Sequence, residues 1–347
     1  MGMIKLPEKS IKFFKNNLDE IFTSGNLAEG LWNKKISEFV KELTGAKTAL
    51  PTNSNGAGMV ALLTIYRHYH GRTDVLIQSN TMYGVKTMVY AGGCGLSGFI
   101  QCQLKTLMPS LQDVKNALSL LDQKEKNKLV ILLSHIGGII NPDIKAIADL
   151  CKDENIILLE DCAHSFGATL HDKHSGLFGN AGVYSFYATK AIPAGEGGVV
   201  ITNDNDIGDM VASYSIYDRF EQCLEVGSNI RISEVQALLT YAIVKEWKHI
   251  MKNKIEMADK YMEICRQKKI KYIAQNENGH SGNYYKFIIY TSEKPIVETL
   301  PGLKTTTSPV YDYDIGISNK VALFHACLPI WYGQDLGIVN KVITELQ

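Results

Sequence analysis

The sequence lacks the features that mark membrane, secreted and nucleic-acid-binding proteins. No stretch approaches the roughly 18 uninterrupted apolar residues of a membrane-spanning helix. Residues 1–17 contain no apolar core of a signal peptide. Lys and Arg number 36, as do Asp and Glu, so the formal net charge is zero. We therefore expect a cytoplasmic protein that binds neither membranes nor nucleic acid.

Cysteine is present without the spacing of a disulfide framework or a zinc site. The seven cysteines are scattered along the chain, and no two of them form a Cys-x-x-Cys pair. We expect reduced thiols and no metal centre. A chain of 347 residues is long enough to bury a core without disulfides, as one large domain or two ordinary ones.

Short apolar runs that alternate with helical patterns predict an α/β sandwich around a large, mostly parallel sheet. Apolar runs of this length are typical of strands that are buried on both faces. The six runs are Val75–Gln78, Gly98–Cys102, Leu129–Ser134, Ile156–Glu160, Ala181–Phe186 and Gly198–Thr202. After the third run, Asn141 and Pro142 have the residue types of a helix start.

Beyond about residue 234 the pattern changes and predicts a smaller α+β domain. Residues 234–267 are helical and polar, two strand-like stretches follow at 284–290 and 306–311, and a helix closes the chain at 337–346. We expect a large domain over residues 1–240, which includes an N-terminal helical segment, and a small C-terminal domain over residues 241–347.

One carboxylate and one lysine carry the strongest chemical signal. Asp161 ends a predicted strand, and Lys190 follows a later strand and precedes a glycine-rich turn. A lone Asp is usually a helix cap, and a lone Lys is usually a solvated charge. Together they suit a pyridoxal phosphate site, where the carboxylate keeps the pyridine nitrogen protonated and the lysine holds the aldehyde as a Schiff base.

A candidate phosphate cradle lies earlier in the chain. The stretch 52–58, Thr-Asn-Ser-Asn-Gly-Ala-Gly, precedes the apolar run 59–63. Glycines at the start of a helix expose backbone N–H groups to an anion, and the helix dipole adds to the attraction. The stretch is not a P-loop, since no Gly-Lys-Ser/Thr follows it.

Several motifs occur in an order that is typical of one family. They are Ser24-Gly25-Asn26-Leu27 with Gly30, Asn55-Gly56-Ala57, Glu160-Asp161-Cys162-Ala163-His164, Ser185-Phe186 to Lys190 with Gly195-Glu196-Gly197-Gly198, Gly227-Ser228-Asn229-Ile230-Arg231 with Glu234 and Gln236, and Leu328-Pro329. This pattern resembles the DegT/DnrJ/EryC1/StrS family of sugar aminotransferases. The resemblance implies an aspartate-aminotransferase-like (fold type I) three-layer sandwich and pyridoxal 5'-phosphate as cofactor.

The resemblance also implies roles for single residues. Lys190 would form the Schiff base and move the proton, and Asp161 would pair with the pyridinium nitrogen. Ser185 and the loop Asn55-Gly56-Ala57 would bind the phosphate, with the amides of the glycine and the alanine as donors. Asn229 would reach that phosphate from the neighbouring subunit, which implies a homodimer with shared active sites.

Four departures from the family pattern fall around the cofactor and the substrate. Ala57 replaces a threonine of the phosphate loop, and His164 replaces a glutamine near the cofactor's ring oxygen, where it could donate the same hydrogen bond. Either Met82 or Tyr83 would stack on the ring. A late Pro-x-His segment that binds the sugar nucleotide is missing or remodelled around 306–314.

These expectations favour one function over three others. The first is transfer of an amino group from L-glutamate to a nucleotide-linked keto sugar, in surface-polysaccharide biosynthesis. The alternative is the same transfer to a smaller phosphorylated ketone such as a triose phosphate. A related dehydratase would have histidine in place of Lys190, and a non-catalytic cofactor-binding regulator has no need to keep both Asp161 and Lys190.

Overall fold

The secondary structure was obtained from a computed structural model, which describes residues 4–217, 223–308 and 323–347. The helices in these ranges are α1 Glu8–Ser24, α2 Leu31–Thr44, α3 Asn55–His70, α4 Tyr83–Ala91, α5 Leu111–Leu118, α6 Gln123–Lys126, α7 Ile144–Asp153, α8 Asn205–Ser215, α9 Glu234–Val244, α10 Trp247–Gln267, α11 Ile296–Thr299 and α12 Leu336–Glu345. The strands are β1 Thr48–Thr52, β2 Asp74–Gln78, β3 Gly95–Ile100, β4 Leu129–Ser134, β5 Ile157–Cys162, β6 Thr169–Leu170, β7 Lys173–His174, β8 Ala181–Ser185, β9 Gly198–Thr202, β10 Lys271–Tyr272, β11 His280–Ser281, β12 Phe287–Tyr290 and β13 His325–Leu328.

The central sheet has seven strands in the order β1-β9-β8-β5-β4-β2-β3. Its pairs from β8 to β3 are parallel, whereas β9 runs antiparallel to both β8 and β1. The six predicted apolar runs are all strands of this sheet, which confirms the mostly parallel α/β fold. The additional strand β1 was not predicted, because its sequence Thr-Ala-Leu-Pro-Thr is short and contains Pro51.

Neighbouring residues of the strands pack on opposite faces of the sheet and so create three layers. Val183 and Val200 contact the core that α3, α4 and α8 complete on one face. Tyr184 and Ile201 contact the core that α1, α2 and α9 complete on the other. This division follows from the two-residue period of a strand. It explains why both faces of these strands had to be apolar in the sequence.

A second, three-stranded sheet has the order β10-β12-β13 and packs against α10 and α12. Tyr261, Phe287 and Leu328 are fully buried in its core. The stretch predicted as a strand at 284–290 forms β12, and the predicted closing helix forms α12, one residue earlier than expected. In the predicted strand 306–311, Thr307 forms a single bridge with Cys327, and residues 309–311 lie outside the described ranges. The domain limits at residue 240 stay a prediction.

One local prediction was wrong. The helix expected to begin at Asn141 and Pro142 begins at Ile144. Asn141 is buried, its side-chain NH₂ donates to the carbonyl of Pro109 (2.8 Å), and its side-chain oxygen accepts from the amide of Asp143 (2.8 Å). It therefore fixes a turn before the helix. The stretch predicted as helical and polar at 234–267 is confirmed and consists of two helices, α9 and α10.

Within the described ranges, none of the helices combines the length and the apolar character that crossing a lipid bilayer requires.

Gly198 is the position where β9 comes closest to the beginning of α3. A Cβ atom at this glycine would lie 2.6 Å from the amide nitrogen of Asn55 and 2.7 Å from the carbonyl carbon of Ser54. We expect Gly198→Ala to lower the free energy of unfolding by about 1–3 kcal/mol, because backbone must move to admit the methyl group. Urea unfolding followed by circular dichroism measures this change.

Gly56→Ala is the matched control. A Cβ atom there would have no neighbour closer than 3.7 Å, and the residue lies in the first turn of α3. The stability of this variant should equal or exceed that of the parent, since alanine restricts the unfolded chain. Equal stability of the two alanine variants would contradict the close approach.

Candidate active site

Asp161 lies near the carboxyl end of β5 and is almost completely buried, with 6% of its surface exposed. One of its oxygens accepts hydrogen bonds from the side-chain NH₂ of Asn55 (3.1 Å) and the amide of Ala163 (3.1 Å). The other accepts from the hydroxyl of Ser134 (3.2 Å), which also contacts the hydroxyl of Thr81 (2.7 Å). The carboxylate is therefore held in one orientation from three sides.

No lysine, arginine or histidine of the described residues forms an ion pair with Asp161. A buried carboxylate that is hydrogen-bonded but lacks a cation is ready to accept a cationic partner. A protonated pyridine nitrogen is such a partner, so this position fits the ring of pyridoxal phosphate.

Lys190 lies in the turn that follows β8, where its amide donates to the carbonyl of Tyr187 (2.9 Å). Burial lowers the pKa of Lys190 to about 8. The positive charge of Lys286 also lowers it, whereas the negative charge of Asp161 raises it. An amine with this pKa is partly neutral near neutral pH, as a nucleophile for an aldehyde must be.

Two residues of α9 hold neighbouring elements in place: Gln236 holds the turn after Lys190, and Glu234 holds the beginning of α2. The side-chain NH₂ of Gln236 donates to the carbonyls of Ala194 and Glu196, which belong to the glycine-rich turn after the lysine. Glu234 is buried and accepts from the amide of Trp32 (2.8 Å) at the beginning of α2. These contacts give a structural reason for the Glu-x-Gln part of the motif, which the sequence alone left without a role.

The beginning of α3 is the segment in which the phosphate cradle was expected. The hydroxyl of Ser54 caps this helix by accepting from the amide of Ala57 (3.0 Å). In the described part of the chain, the amide of Gly56 has no protein acceptor. Asn55 turns its side chain towards Asp161, as described above. Ser185 lies at the end of β8, buried, and accepts from the amide of Tyr187 (3.3 Å). The phosphate contacts themselves stay predictions.

His164 is buried, and its ring packs against that of Tyr285 with a centroid distance of 4.2 Å. Burial, Lys190 and Lys286 together hold the pKa of His164 well below its usual value, so the ring is neutral. Its Nδ1 atom accepts from the amide of Gly137 (3.4 Å), which assigns the remaining proton to Nε2. This tautomer has the donor that was expected near the cofactor's ring oxygen.

The remaining predicted residues lie at the surface. Met82 and Tyr83 stand at the beginning of α4 with 38% and 49% of their surfaces exposed. Lys86 places its ammonium 5.5 Å from the centre of the Tyr83 ring. Both residues stay candidates for stacking on the cofactor.

Asn229 is exposed, and its carbonyl accepts from the side-chain NH₂ of Asn53 (3.3 Å) just before α3 of its own chain. Its own side-chain oxygen accepts from the amide of Arg231 (3.2 Å). The expected contact with a neighbouring subunit stays a prediction. The expected remodelling around 306–314 falls mainly on residues outside the described ranges.

Glu160, the neighbour of Asp161, stabilises the fold through hydrogen bonds and does not face the expected cofactor ring. It accepts from the amides of Gly176 (2.8 Å), Phe178 (2.7 Å) and Gly179 (2.7 Å), and it contacts Nε2 of His135 at 2.8 Å. The sulfur of Cys162 lies close enough to these two side chains for the three to be a possible metal-binding group. The carboxylate of Glu160, however, already accepts the hydrogen bonds given above, so the group is better explained as a structural support for the end of β5.

The comparison with known proteins adds to this geometry. The family model of the DegT/DnrJ/EryC1/StrS aminotransferase family matches residues 8–314. The chain belongs to this family. A UDP-4-amino-4,6-dideoxy-N-acetyl-beta-L-altrosamine transaminase of Helicobacter pylori is 26% identical over 71% of this chain and 65% of its own length. A GDP-perosamine synthase of Escherichia coli O157:H7 is 28% identical over 60% of this chain and 57% of its own length. The aligned region thus spans less than two thirds of these two relatives.

Solved structures share the fold across the whole chain. The aminotransferase PseC of Helicobacter pylori has a TM-score of 0.83 at 20% identity and covers 99% of this chain and 96% of its own. A family member from Brucella abortus has a TM-score of 0.84 at 16% identity, with 100% and 98% covered. DesI, solved with its TDP-sugar product, has a TM-score of 0.83 at 19% identity, with 99% and 90% covered. The fold expected from the motifs is confirmed.

Two residues of the site were missed by the sequence reasoning, Tyr285 and Ser134. Tyr285 precedes β12 and reaches Lys190 and His164 only through the folding of the second sheet against the first. Ser134 ends β4, next to β5 in the sheet. The rule that polar residues at the carboxyl ends of parallel strands face a ligand could have found the serine. No local pattern marks the tyrosine.

The charges around Lys190 predict how its pKa responds to substitution. In the cofactor-free protein we expect the pKa of Lys190 to rise in Lys286→Met, which removes a like charge, and to fall in Asp161→Asn, which removes an opposite charge. The pH dependence of Lys190 acylation by a trace reagent, followed by peptide mass spectrometry, measures each value. Labelling of wild type should fall as the pH falls below about 8.

Lys294→Met serves as the control, because this exposed lysine has no part in the site. Its substitution should leave the titration of Lys190 unchanged. A shift of the same sign in Lys286→Met and Asp161→Asn would contradict the charge assignment.

Proposed function

We propose that the protein is a pyridoxal phosphate-dependent aminotransferase that moves an amino group from L-glutamate to the keto group of a nucleotide-linked keto sugar. The observation that carries this proposal is the pair of Asp161, a buried carboxylate without a cation of its own, and Lys190, an amine with a lowered pKa. Both lie at the carboxyl edge of the sheet, where ligands of open α/β sheets bind.

The acceptor class is supported by the relatives. The two relatives named above carry the names of a UDP-sugar transaminase and a GDP-sugar synthase, and DesI was solved with a TDP-sugar. A spore coat polysaccharide biosynthesis protein of Bacillus subtilis is 25% identical over 86% of this chain and 78% of its own length. These names favour a role in surface-polysaccharide biosynthesis.

Different residues of the chain would bind the cofactor, orient it and transfer the proton. When bound, pyridoxal phosphate supplies an electron sink for the substrate carbon that carries nitrogen. Asp161 would accept a hydrogen bond from the pyridine nitrogen and keep it protonated. Lys190 would hold the cofactor in the resting protein, and its Nζ atom would carry the proton to and from the substrate carbon. His164 would donate from Nε2 to the ring oxygen. Ser185 and the amide of Gly56 would bind the phosphate.

The donor half of the reaction tests the proposal directly. Protein loaded with cofactor and mixed with L-glutamate should release one 2-oxoglutarate per bound cofactor, which mass spectrometry measures. Lys190→Ala should lower the rate by several orders of magnitude, because the proton carrier is removed, and Lys294→Ala should retain it. UDP-, GDP- and TDP-linked keto sugars are then offered in turn to the aminated protein. If no amino donor is converted to its 2-oxo acid, the assignment as an aminotransferase is refuted.

The shared site of a homodimer has its own test. Asn229→Asp would place a carboxylate near the bound phosphate and should weaken cofactor retention by repulsion. When Lys190→Ala and Asn229→Asp chains are mixed and allowed to form hybrid dimers, one active site regains both native residues only if Asn229 acts across the interface. Recovery of about half of the wild-type activity per hybrid is therefore expected.

The same experiment can reject the shared site. Because Asn229 also lies beside α3 of its own chain, action within one chain would leave every hybrid site defective. No recovery in verified hybrid dimers, or a monomer by sedimentation, would contradict the shared site.

A further inference from the structure

Tyr285 brings two lysines together beside the proposed cofactor site. The ammonium of Lys190 lies 5.1 Å from the centre of the Tyr285 ring, and that of Lys286 lies 5.5 Å from the same centre. The ring of His164 packs against this tyrosine as well. Cations within about 6 Å of an aromatic centre are attracted to its face, so the tyrosine helps to hold both lysines near each other.

Lys286 is fixed by its backbone, not by a flexible loop. Its amide donates to the carbonyl of Gly137 (2.9 Å), and its own carbonyl accepts from the side-chain NH₂ of Gln275 (2.9 Å). Gly137 follows β4, which is adjacent to β5 and hence to Asp161. The second sheet thereby presents Lys286 to the carboxyl edge of the first sheet at a defined position.

The charges in this region are unbalanced. Lys254 of α10 is only 3% exposed, and burial together with the charge of Lys286 lowers its pKa to about 7. In the described ranges, neither Lys254 nor Lys286 has a carboxylate within ion-pair distance. The ammonium of Lys286 donates to a neutral acceptor, the carbonyl of Ser308 (3.1 Å). Lys286 is half-buried, and a cation that is partly withdrawn from water without a counterion favours the binding of an anion from outside the chain.

We propose that Lys286, reinforced by the buried Lys254, forms an anion-binding subsite beside Lys190 that takes a carboxylate or phosphate group of the substrate. An ammonium has three donors, and the contact with Ser308 uses one of them in Lys286. The subsite rests on the proposed function for its ligand, since glutamate carries carboxylates and a nucleotide sugar carries a diphosphate. The cofactor's own phosphate is expected elsewhere, at the beginning of α3.

Binding of unreactive anions tests the subsite without turnover. The probes are glutarate, which is glutamate without its amino group, and inorganic diphosphate. Each is titrated by calorimetry into cofactor-loaded protein at constant salt, and the cofactor content of every variant is measured so that cofactor loss is recognised. Loss of a charge-assisted hydrogen bond should weaken binding of the relevant probe by about 10-fold to 100-fold in Lys286→Met.

The control variants separate charge from folding. Lys286→Arg keeps the positive charge and should retain most of the affinity, and Lys294→Met should bind as wild type does. Lys254→Met should raise the midpoint of thermal unfolding, because a buried cation is removed, and yet weaken anion binding. A purely structural lysine would not produce these opposite changes.

The two probes also identify the source of the anion. A loss for glutarate alone assigns the subsite to the amino donor, a loss for diphosphate alone assigns it to the acceptor, and a loss for both assigns it to both. Wild-type affinity of Lys286→Met for both probes would overturn the subsite. Wild-type affinity in a stabilised Lys254→Met would remove Lys254 from it. A protein that binds anions through Lys286 but transfers no amino group would refute the function and leave the subsite standing.

Discussion

The site depends on the burial of one carboxylate. Asp161 loses most of its contact with water at the end of β5, and the chain replaces that water with hydrogen bonds from Asn55, Ser134 and Ala163. These neutral donors orient the negative charge but do not cancel it. Since a buried carboxylate without an ion-pair partner costs free energy, the folded protein gains by binding a cation at this point, and a protonated pyridine ring is of the right kind. Binding of the proposed cofactor would therefore stabilise the fold.

On the opposite side of the site, positive charges outnumber negative charges. Withdrawal from water and the positive charge of Lys286 lower the pKa values of Lys190 and Lys254. Asp161 is the counter-charge that acts on Lys190, and it is also the partner proposed for the ring. A site with more positive than negative groups is suited to substrates that bring their own anions. In the proposed function, the large sheet would supply the acid–base chemistry through Asp161 and Lys190, and the second sheet would supply the positive charge that faces the substrate.

Much of the fold could be predicted because its signals are local. A strand buried on both faces must be apolar throughout, and six such runs became strands of the central sheet. Asp161 and Lys190 were predicted as site residues for a related reason, since they stand at or just after strand ends, whereas the role of Ser185 came from the family resemblance. The helix start at Asn141 was misplaced because tertiary contacts fix this residue in a turn before the helix: Asn141 is buried, and its side-chain NH₂ donates to the carbonyl of Pro109. Local propensity is overridden where such contacts hold a residue in another conformation.

The sequence by itself determined the layers of the fold, the family and the pair of Asp161 and Lys190, because periodicity, strand ends and ordered motifs are properties of neighbouring residues. Only the tertiary structure decided what surrounds that pair. Tyr285 meets His164 across more than a hundred residues of chain, and Gln236 reaches back to the turn after Lys190. Such contacts arise when separate sheets and helices pack together, and pKa values follow from them, because both burial and the distance between charges are set by packing.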